Sequence, residues 1–81
     1  MNQEKIGAFI RDIRKESGLT QEQLAEALGV SQKSISRWET GKTMPDYSLL
    51  PDICKVLGIN MAELLEAERI EGDSVSKKQV T

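Results

Sequence analysis

The fold of this chain is decided by residues 19–41, which read LTQEQLAEALGVSQKSISRWETG. Thr20 and Gln23 have the spacing of a capping box, in which each side chain satisfies a backbone amide at the other's position. Gly29 follows the last apolar residue of the segment and supplies a left-handed stop. The pattern therefore predicts a helix over residues 21–28.

A second helix follows after a very short connection. Ser31 is the next capping residue, and the pattern after it predicts a helix that reaches about Thr40 and stops before Gly41. Only residues 29–31 join the two helices. Because so short a connection cannot reverse the chain into a long antiparallel hairpin, it favours the sharp crossing of a helix-turn-helix unit.

The helix after Ser31 has two chemically different faces. At about 100° per residue, its polar side chains fall within one arc of about 140°, and the opposite side is apolar or small apart from Glu39. The polar side chains all donate hydrogen bonds and are Gln32, Lys33, Ser36, Arg37 and Thr40. Arg and Lys suit guanine O6 and N7, and Gln suits adenine N6 and N7. This outer face is therefore predicted to read DNA base edges, the alternative being an ordinary solvated face.

The flanking sequence predicts three more helices and no strand. Apolar periodicity and punctuating glycines indicate a first helix over residues 3–16, a fourth from about residue 48 to 57, and a fifth from about residue 61 toward residue 70. The remaining residues are polar and lack periodicity. We therefore expect an all-α, compact five-helix domain over residues 1–71, followed by a flexible polar tail over residues 72–81.

Composition narrows the class of protein. A chain of 81 residues with 38% hydrophobic and 30% charged side chains suits one small helical domain. It contains no histidine and one cysteine, Cys54, which excludes an intramolecular disulfide, a zinc site and a His-based catalytic triad. We therefore expect no enzyme, no cofactor and no metal. No stretch approaches the roughly 20 apolar residues of a membrane span, and the lone thiol suits a reducing cytoplasm.

The net charge of −2 is unevenly distributed. Residues 29–45 carry three basic side chains against Glu39 alone, whereas residues 46–73 carry seven acidic side chains against two basic ones. A molecule with this imbalance has one locally positive end and another end that phosphate would repel. A solvated acidic face without any partner is the alternative interpretation.

The motifs of residues 19–41 resemble those of the phage-repressor and Cro-type (XRE-like) helix-turn-helix family. The shared features are Gln after a capping Thr, then Leu-Ala, Leu-Gly-Val-Ser and Trp-Glu-x-Gly at the family's spacing, and the resemblance covers about residues 3–66. It implies a compact, five-helix, lambda-repressor-like domain with the helix-turn-helix at helices two and three. It also implies a transcriptional regulator, most often a repressor, that binds double-stranded operator DNA as a homodimer on a palindromic site.

The resemblance assigns roles in DNA binding to individual residues. The positions that read bases in the family fall on Gln32, Lys33, Ser36 and Arg37. The positions that contact the DNA backbone fall on Gln21, Lys42 and Thr43. The backbone contacts would position the domain, and the helix side chains would specify the sequence.

Two further assignments from the resemblance concern stability and assembly. The family pairs an arginine late in helix one with the glutamate of Trp-Glu-x-Gly, so Arg14 and Glu39 are expected to form a structural ion pair, the alternative being two independent surface charges. Family members commonly dimerise through their C-terminal region. Leu65 and Ile70 are therefore candidate dimer contacts.

Two other functions fit the same domain. The antitoxin of a toxin–antitoxin pair would bind DNA and also hold a toxin, usually through an extra segment of chain. A helix-turn-helix fold used only for protein–protein contact should lack hydrogen-bond donors on the outer face of helix three. This chain carries Gln32, Lys33 and Arg37 on that face, which favours DNA binding.

Overall fold

The computed structural model describes residues 2–69, and all regular secondary structure in that range is helical. The helices are α1 (Gln3–Glu16), α2 (Gln21–Leu28), α3 (Gln32–Glu39), α4 (Leu50–Leu57) and α5 (Met61–Glu66), with a 3₁₀ turn at Tyr47–Leu49. The all-α, five-helix fold is confirmed. The predicted tail and the domain boundary at residue 71 lie outside the described residues. None of the helices in the described range is long and apolar enough to cross a membrane.

The capping signals of the helix-turn-helix unit fold as the sequence predicts. Thr20 Oγ1 accepts a hydrogen bond from the Gln23 amide at 3.0 Å, and Gln23 Oε1 accepts one from the Thr20 amide at 2.9 Å. Gly29 ends α2 in the left-handed conformation with φ of 72°. At α3, Ser31 Oγ accepts from the Ser34 amide at 3.1 Å. Both helices therefore begin where their capping residues place them.

The fourth helix begins later than predicted. It was expected near Ser48, but a 3₁₀ turn occupies that position and α4 begins at Leu50. Asp46 Oδ2 accepts a hydrogen bond from the Ser48 amide at 3.2 Å, and the Leu49 amide donates to the Asp46 carbonyl at 2.9 Å. This spacing of three residues is that of a 3₁₀ turn. The local capping by Asp46 thus delays the α-helical pattern.

The fifth helix ends earlier than predicted. It was expected to continue toward Ile70, but it ends at Glu66 because Ala67 adopts the left-handed conformation with φ of 57°. The Glu68 amide then donates back to the Glu63 carbonyl at 3.2 Å, the bond that closes a Schellman motif. Glycine usually provides this conformation. The sequence has alanine instead of glycine at this position, so the sequence pattern does not predict the stop.

The core lies where the helices meet. Helices α1 and α2 both pack on α3, α5 packs on α1, and α4 packs on α2 and α5. Within residues 2–69, the hydrophobic core consists of Ile6, Phe9, Ile10, Ile13, Leu24, Ala25, Leu28, Ile35, Trp38, Leu50, Ile53, Cys54, Leu57 and Leu64. Complete burial of one large aliphatic side chain contributes about 1.5–3 kcal/mol. Ile35 and Trp38 belong to this core and hold α3 against the other helices.

Helix α1 approaches the backbone of α3 unusually closely at Gly7. A Cβ atom added at Gly7 would lie 1.8 Å from the Trp38 carbonyl oxygen and 2.9 Å from its carbon. No side chain can be accommodated there without moving one of the two backbones. Glycine in the middle of α1 therefore fixes the distance at which α3 is held.

Candidate nucleic-acid interface

Helix α3 is anchored on one side and accessible on the other. Ile35 and Trp38 are buried, as the sequence predicts for the inward face. The predicted base-reading residues form the donor face, which consists of Gln32, Lys33, Ser36 and Arg37. Ser36 is half-buried and the other three are exposed. The structure thus presents three long polar side chains on a helix whose position is set by the core.

Thr40, which the sequence also predicts on the outer face, uses its hydroxyl for hydrogen bonds to the backbone of α3. Its Oγ1 donates to the Ser36 carbonyl at 2.9 Å and lies 3.3 Å from the Arg37 carbonyl. The Thr40 amide donates to the same Ser36 carbonyl at 3.1 Å. Thr40 is therefore the C-terminal cap residue of α3, and its hydroxyl is bonded to the last turn of that helix.

The loop after α3 folds tightly back on the helix. The amides of Lys42 and Thr43 both donate to the Arg37 carbonyl, at 2.9 and 3.4 Å. Gly41 makes the turn with φ of 77°, and its carbonyl accepts a hydrogen bond from Gln3 Nε2 at 2.6 Å. The side chains of Lys42 and Thr43 are exposed next to the last turn of α3. The loop is therefore held by both α1 and α3.

Arg14 and Glu39, the pair expected from the resemblance, are in contact and buried. Arg14 Nε donates to Glu39 Oε2 at 2.7 Å, and Arg14 Nη2 donates to Glu39 Oε1 at 3.1 Å. Arg14 Nη1 donates to the Leu19 carbonyl at 2.8 Å. Arg14 is 7% exposed and Glu39 is 5% exposed. This bidentate geometry joins α1 to α3 and to the start of α2.

Gln21 lies between the buried ion pair and the donor face. Its Nε2 donates to Glu39 Oε1 at 2.9 Å, and its Oε1 accepts from Gln32 Nε2 at 3.3 Å. The family resemblance assigns Gln21 and Gln32 separate roles, as a backbone contact and a base reader. The tertiary crossing of α2 and α3 brings their first turns together, and no local sequence signal shows this contact.

Basic and acidic side chains predominate in different parts of the described structure. The basic residues Lys33, Arg37 and Lys42 are exposed on α3 and its following loop. Residues 46–69 carry five acidic side chains against two basic ones, and the acidic ones belong to the 3₁₀ region, α4, α5 and the residues just after α5. A polyanion is therefore attracted to α3 and its loop more than to α4 and α5.

The candidate dimer contacts are only partly described. Leu65 is half-buried and packs against the core, and Ile70 lies outside the described residues. The large hydrophobic side chains exposed within residues 2–69 are Tyr47, at 79%, and Met61, at 36%. Leu65 is thus partly accessible, and its role as a dimer contact stays a prediction.

The lone thiol is a packing residue. Cys54 is buried on α4, and both burial and the negative charge of Glu63 raise the pKa of the Cys54 thiol. A raised pKa keeps the thiol neutral and weakly nucleophilic near neutral pH. Within residues 2–69, no group of three or more Cys, Asp or Glu side chains is placed to hold a metal ion.

Comparison with known proteins identifies similar chains. Residues 10–64 match the family model described as helix-turn-helix. The HTH-type transcriptional activator BcrR of Enterococcus faecalis is 43% identical over 61 residues, which are 75% of this chain and 30% of BcrR. The uncharacterized HTH-type transcriptional regulator YazB of Bacillus subtilis is 38% identical over 69 residues, covering 85% of this chain and 100% of YazB. Antitoxin PezA of Streptococcus pneumoniae is 29% identical over 65 residues, covering 80% of this chain and 41% of PezA.

Two solved structures share the arrangement of helices. The clp gene regulator ClgR of Corynebacterium glutamicum superposes with a TM-score of 0.74 at 35% identity, over 80% of this chain and 83% of that structure. The DNA-binding domain of the P22 c2 repressor superposes with a TM-score of 0.72 at 34% identity, over 90% of both chains. These likenesses confirm the resemblance stated from the sequence motifs.

Proposed function

Since this chain belongs to the helix-turn-helix family, we propose that its function is sequence-specific binding of double-stranded DNA. The family consists of DNA-binding regulators of transcription rather than enzymes. The proposed role is control of transcription in the cytoplasm of a prokaryotic cell, where the DNA lies. Its binding partner is duplex DNA, and no cofactor is needed for the contact.

The observation that carries the proposal is the donor face of α3. An α-helix fits the major groove of B-form DNA, where each base pair presents a distinct pattern of donors and acceptors. Lys33 and Arg37 are suited to guanine, and Gln32 is suited to adenine. Each well-made bidentate contact discriminates against the wrong base by about 1–3 kcal/mol. Ser36, half-buried on the same face, is the fourth proposed base contact.

The proposed backbone contacts lie around the donor face. Lys42 and Thr43 are exposed, and their backbone amides are hydrogen-bonded to the Arg37 carbonyl. Their side chains are therefore held beside the end of α3. Gln21 lies at the start of α2 and uses one amide hydrogen on Glu39, which leaves the second for a phosphate oxygen. Such contacts fix the register of the domain on the duplex.

We further infer that the protein acts as a repressor and binds a palindromic operator as a homodimer. The likeness to the P22 c2 repressor domain, at 34% identity over 90% of both chains, supports this choice. BcrR is an activator, but this chain spans only 30% of its length. The proposed dimer uses Leu65 and Ile70, and a two-fold axis there would present two α3 helices to successive turns of the major groove.

The proposal is tested by selection of bound duplexes from a random pool, carried out with the wild-type protein and with Arg37→Ala. We expect a palindrome whose half-sites lie about one helical turn apart. Arg37→Ala should relax the preference at one symmetric pair of positions. Arg11→Ala is the matched control, because it removes the same charge from an exposed position on α1. It should leave the selected sequence unchanged.

Each alternative outcome of this selection has a defined meaning. Enrichment of a single, unpaired half-site would support base reading and contradict the palindromic dimer. An unenriched pool with weak, steeply salt-dependent binding would indicate phosphate contact alone and would overturn sequence-specific regulation. A helix-turn-helix domain used for protein–protein contact would then be the better explanation of its function.

A second candidate function is that of an antitoxin, favoured by the 29% identity to antitoxin PezA. An antitoxin of this kind would use the same domain for DNA and additional surface or chain for a toxin. The discriminating measurement is copurification of the protein from its native host. A stoichiometric protein partner whose toxicity the chain neutralises would favour the antitoxin, whereas recovery as a homodimer alone would favour the repressor.

A further inference from the structure

The first turn of α1 is attached to the loop that follows α3, residues 40–43. Gln3 Nε2 donates a hydrogen bond to the Gly41 carbonyl at 2.6 Å, across 38 positions of the sequence. We propose that Gln3 is a positioning residue, which holds this loop in the conformation that brings Lys42 and Thr43 to DNA phosphates. The inference rests on the proposed function and adds to it a residue from outside the helix-turn-helix unit.

The bonds to α3 account for the amides of the loop. The Gly41 amide donates to the Trp38 carbonyl at 3.0 Å. The amides of Lys42 and Thr43 donate to the Arg37 carbonyl, at 2.9 and 3.4 Å. The Gly41 carbonyl accepts its hydrogen bond from α1 instead. The loop is therefore attached to two helices, and the first residue of α1 supplies the second attachment.

The start of α1 is itself fixed in place. Asn2 Oδ1 accepts a hydrogen bond from the Lys5 amide at 2.9 Å, so the helix is capped directly before Gln3. The next residue packs on the loop as well, because a Cβ atom added at Gly41 would lie 2.8 Å from Glu4 Cγ and 3.1 Å from Glu4 Cα. Two consecutive residues of α1 therefore lie against Gly41, one through a hydrogen bond and the other through packing.

The attachment continues the close approach of α1 to α3. Gly7 lies four residues after Gln3 and therefore on the same face of α1. It lies against the Trp38 carbonyl, three residues before Gly41. Gly7 and Trp38 are both buried, so the core sets the position of this face of α1. The hydrogen bond from Gln3 thus fixes the exposed loop relative to the core.

A fixed loop loses less freedom when it binds. Lys42 and Thr43 are exposed, and a moving loop must be ordered before its side chains can contact phosphate. The bond from Gln3 restricts the loop before DNA is bound, so less conformational entropy is lost on binding. Because Gln3 is uncharged and its amide nitrogen is bonded to Gly41, we expect its effect on affinity to act through the side chains of the loop.

The experiment measures binding to a selected duplex by proteins with and without the loop side chains. Gln3→Met keeps the length of the side chain and removes the hydrogen bond. We expect this change to weaken binding about threefold to tenfold, the factor that one hydrogen bond of this kind contributes. In a protein that already carries Lys42→Ala and Thr43→Ala, the same change should weaken binding by less than about twofold. Fluorescence anisotropy gives the four dissociation constants.

The control is Ser17→Ala, which changes another exposed, uncharged side chain beyond the opposite end of α1. It should leave the affinity unchanged with and without the loop side chains. If Gln3→Met weakens binding by the same factor in both proteins, Gln3 contacts the DNA itself and the inference is overturned. An unchanged affinity in Gln3→Met would overturn it as well.

The attachment of the loop also has a readout without DNA. Hydrogen exchange of the Lys42 and Thr43 amides should become about threefold faster or more in Gln3→Met, whereas amides in the middle of α2 should keep their rates. Unchanged exchange in the loop, or equal acceleration in α2, would contradict the inference. If the wild-type protein selects no duplex while the exchange rates respond as expected, the attachment is confirmed, but the proposed function fails and the role toward phosphate fails with it.

Discussion

Gly7 allows two helix backbones to come into contact at the centre of the domain. A Cβ atom at this position would lie 1.8 Å from the Trp38 carbonyl oxygen. We predict that Gly7→Ala lowers the free energy of unfolding by about 1–3 kcal/mol, even though alanine favours a helix by about 1 kcal/mol over glycine. Urea denaturation measures the change. Lys5→Ala, an exposed change on α1, should stay within about 0.5 kcal/mol, and equal effects of the two would contradict the close contact.

The Arg14–Glu39 pair illustrates how a buried charge depends on its partner. Arg14→Met removes two nitrogen donors from the buried Glu39 carboxylate and leaves it one side-chain donor, Gln21. We predict a loss of about 3–5 kcal/mol in the free energy of unfolding for this single variant. Arg14→Met combined with Glu39→Leu should cost less than the sum of the single changes, because neither charge is left unpaired. A double-mutant cycle by urea denaturation measures this difference, and additive losses would show that the pair does not interact.

At the scale of single helices, the capping box of α2 fixes the start of the helix-turn-helix unit. Thr20 and Gln23 exchange hydrogen bonds at 3.0 and 2.9 Å. We predict that Thr20→Ala lowers the free energy of unfolding by about 1 kcal/mol, since an amide at the first turn loses its partner. Thermal unfolding followed by circular dichroism tests this. Ser17→Ala, at an exposed position after α1, is the control and should have little effect. If Thr20→Ala destabilised the protein no more than Ser17→Ala does, the cap would contribute nothing to stability.

Helix boundaries were predicted well where a side chain or a glycine marks them. The ends of α1 and α2 fall at the predicted residues, and α3 ends one residue before Thr40. The errors lie at α4 and α5. Asp46 organises a 3₁₀ turn before α4, and Ala67 takes the left-handed conformation after α5. The turn at Asp46 depends on a side-chain cap that the helical period does not show, and the stop at Ala67 depends on a backbone conformation that residue type does not specify. The periodic pattern therefore overestimates the two helices.

At the scale of the whole molecule, the separation of charge has a consequence for DNA binding. Lys42 is exposed beside the end of α3, whereas Lys55 lies on α4 among the acidic helices. We predict that Lys42→Ala weakens binding to all duplexes by a similar factor and reduces the slope of log K against log salt by about 1. Lys55→Ala removes the same charge and should leave the slope unchanged. Fluorescence anisotropy at several salt concentrations gives both slopes, and equal slopes would place Lys42 away from the DNA.

The amino-acid sequence by itself determined the helical class, the helix-turn-helix unit and the polarity of the two faces of α3. These features follow from local rules, because capping residues, glycines and the helical period act over only a few positions. The outward position of Gln32, Lys33 and Arg37 is a consequence of that period once Ile35 and Trp38 are buried. The roles of these residues toward DNA stay predictions until the selection experiment is done.

Only the tertiary structure decided which side chains act together. The contact of Gln21 with both Glu39 and Gln32 requires α2 and α3 to cross at one angle, and the contact of Gly7 with Trp38 requires α1 to lie directly on α3. Neither contact leaves a local signal, because its partners are 11 to 31 residues apart in the sequence. Their proximity results from packing all five helices around one core, and that packing is a property of the whole chain.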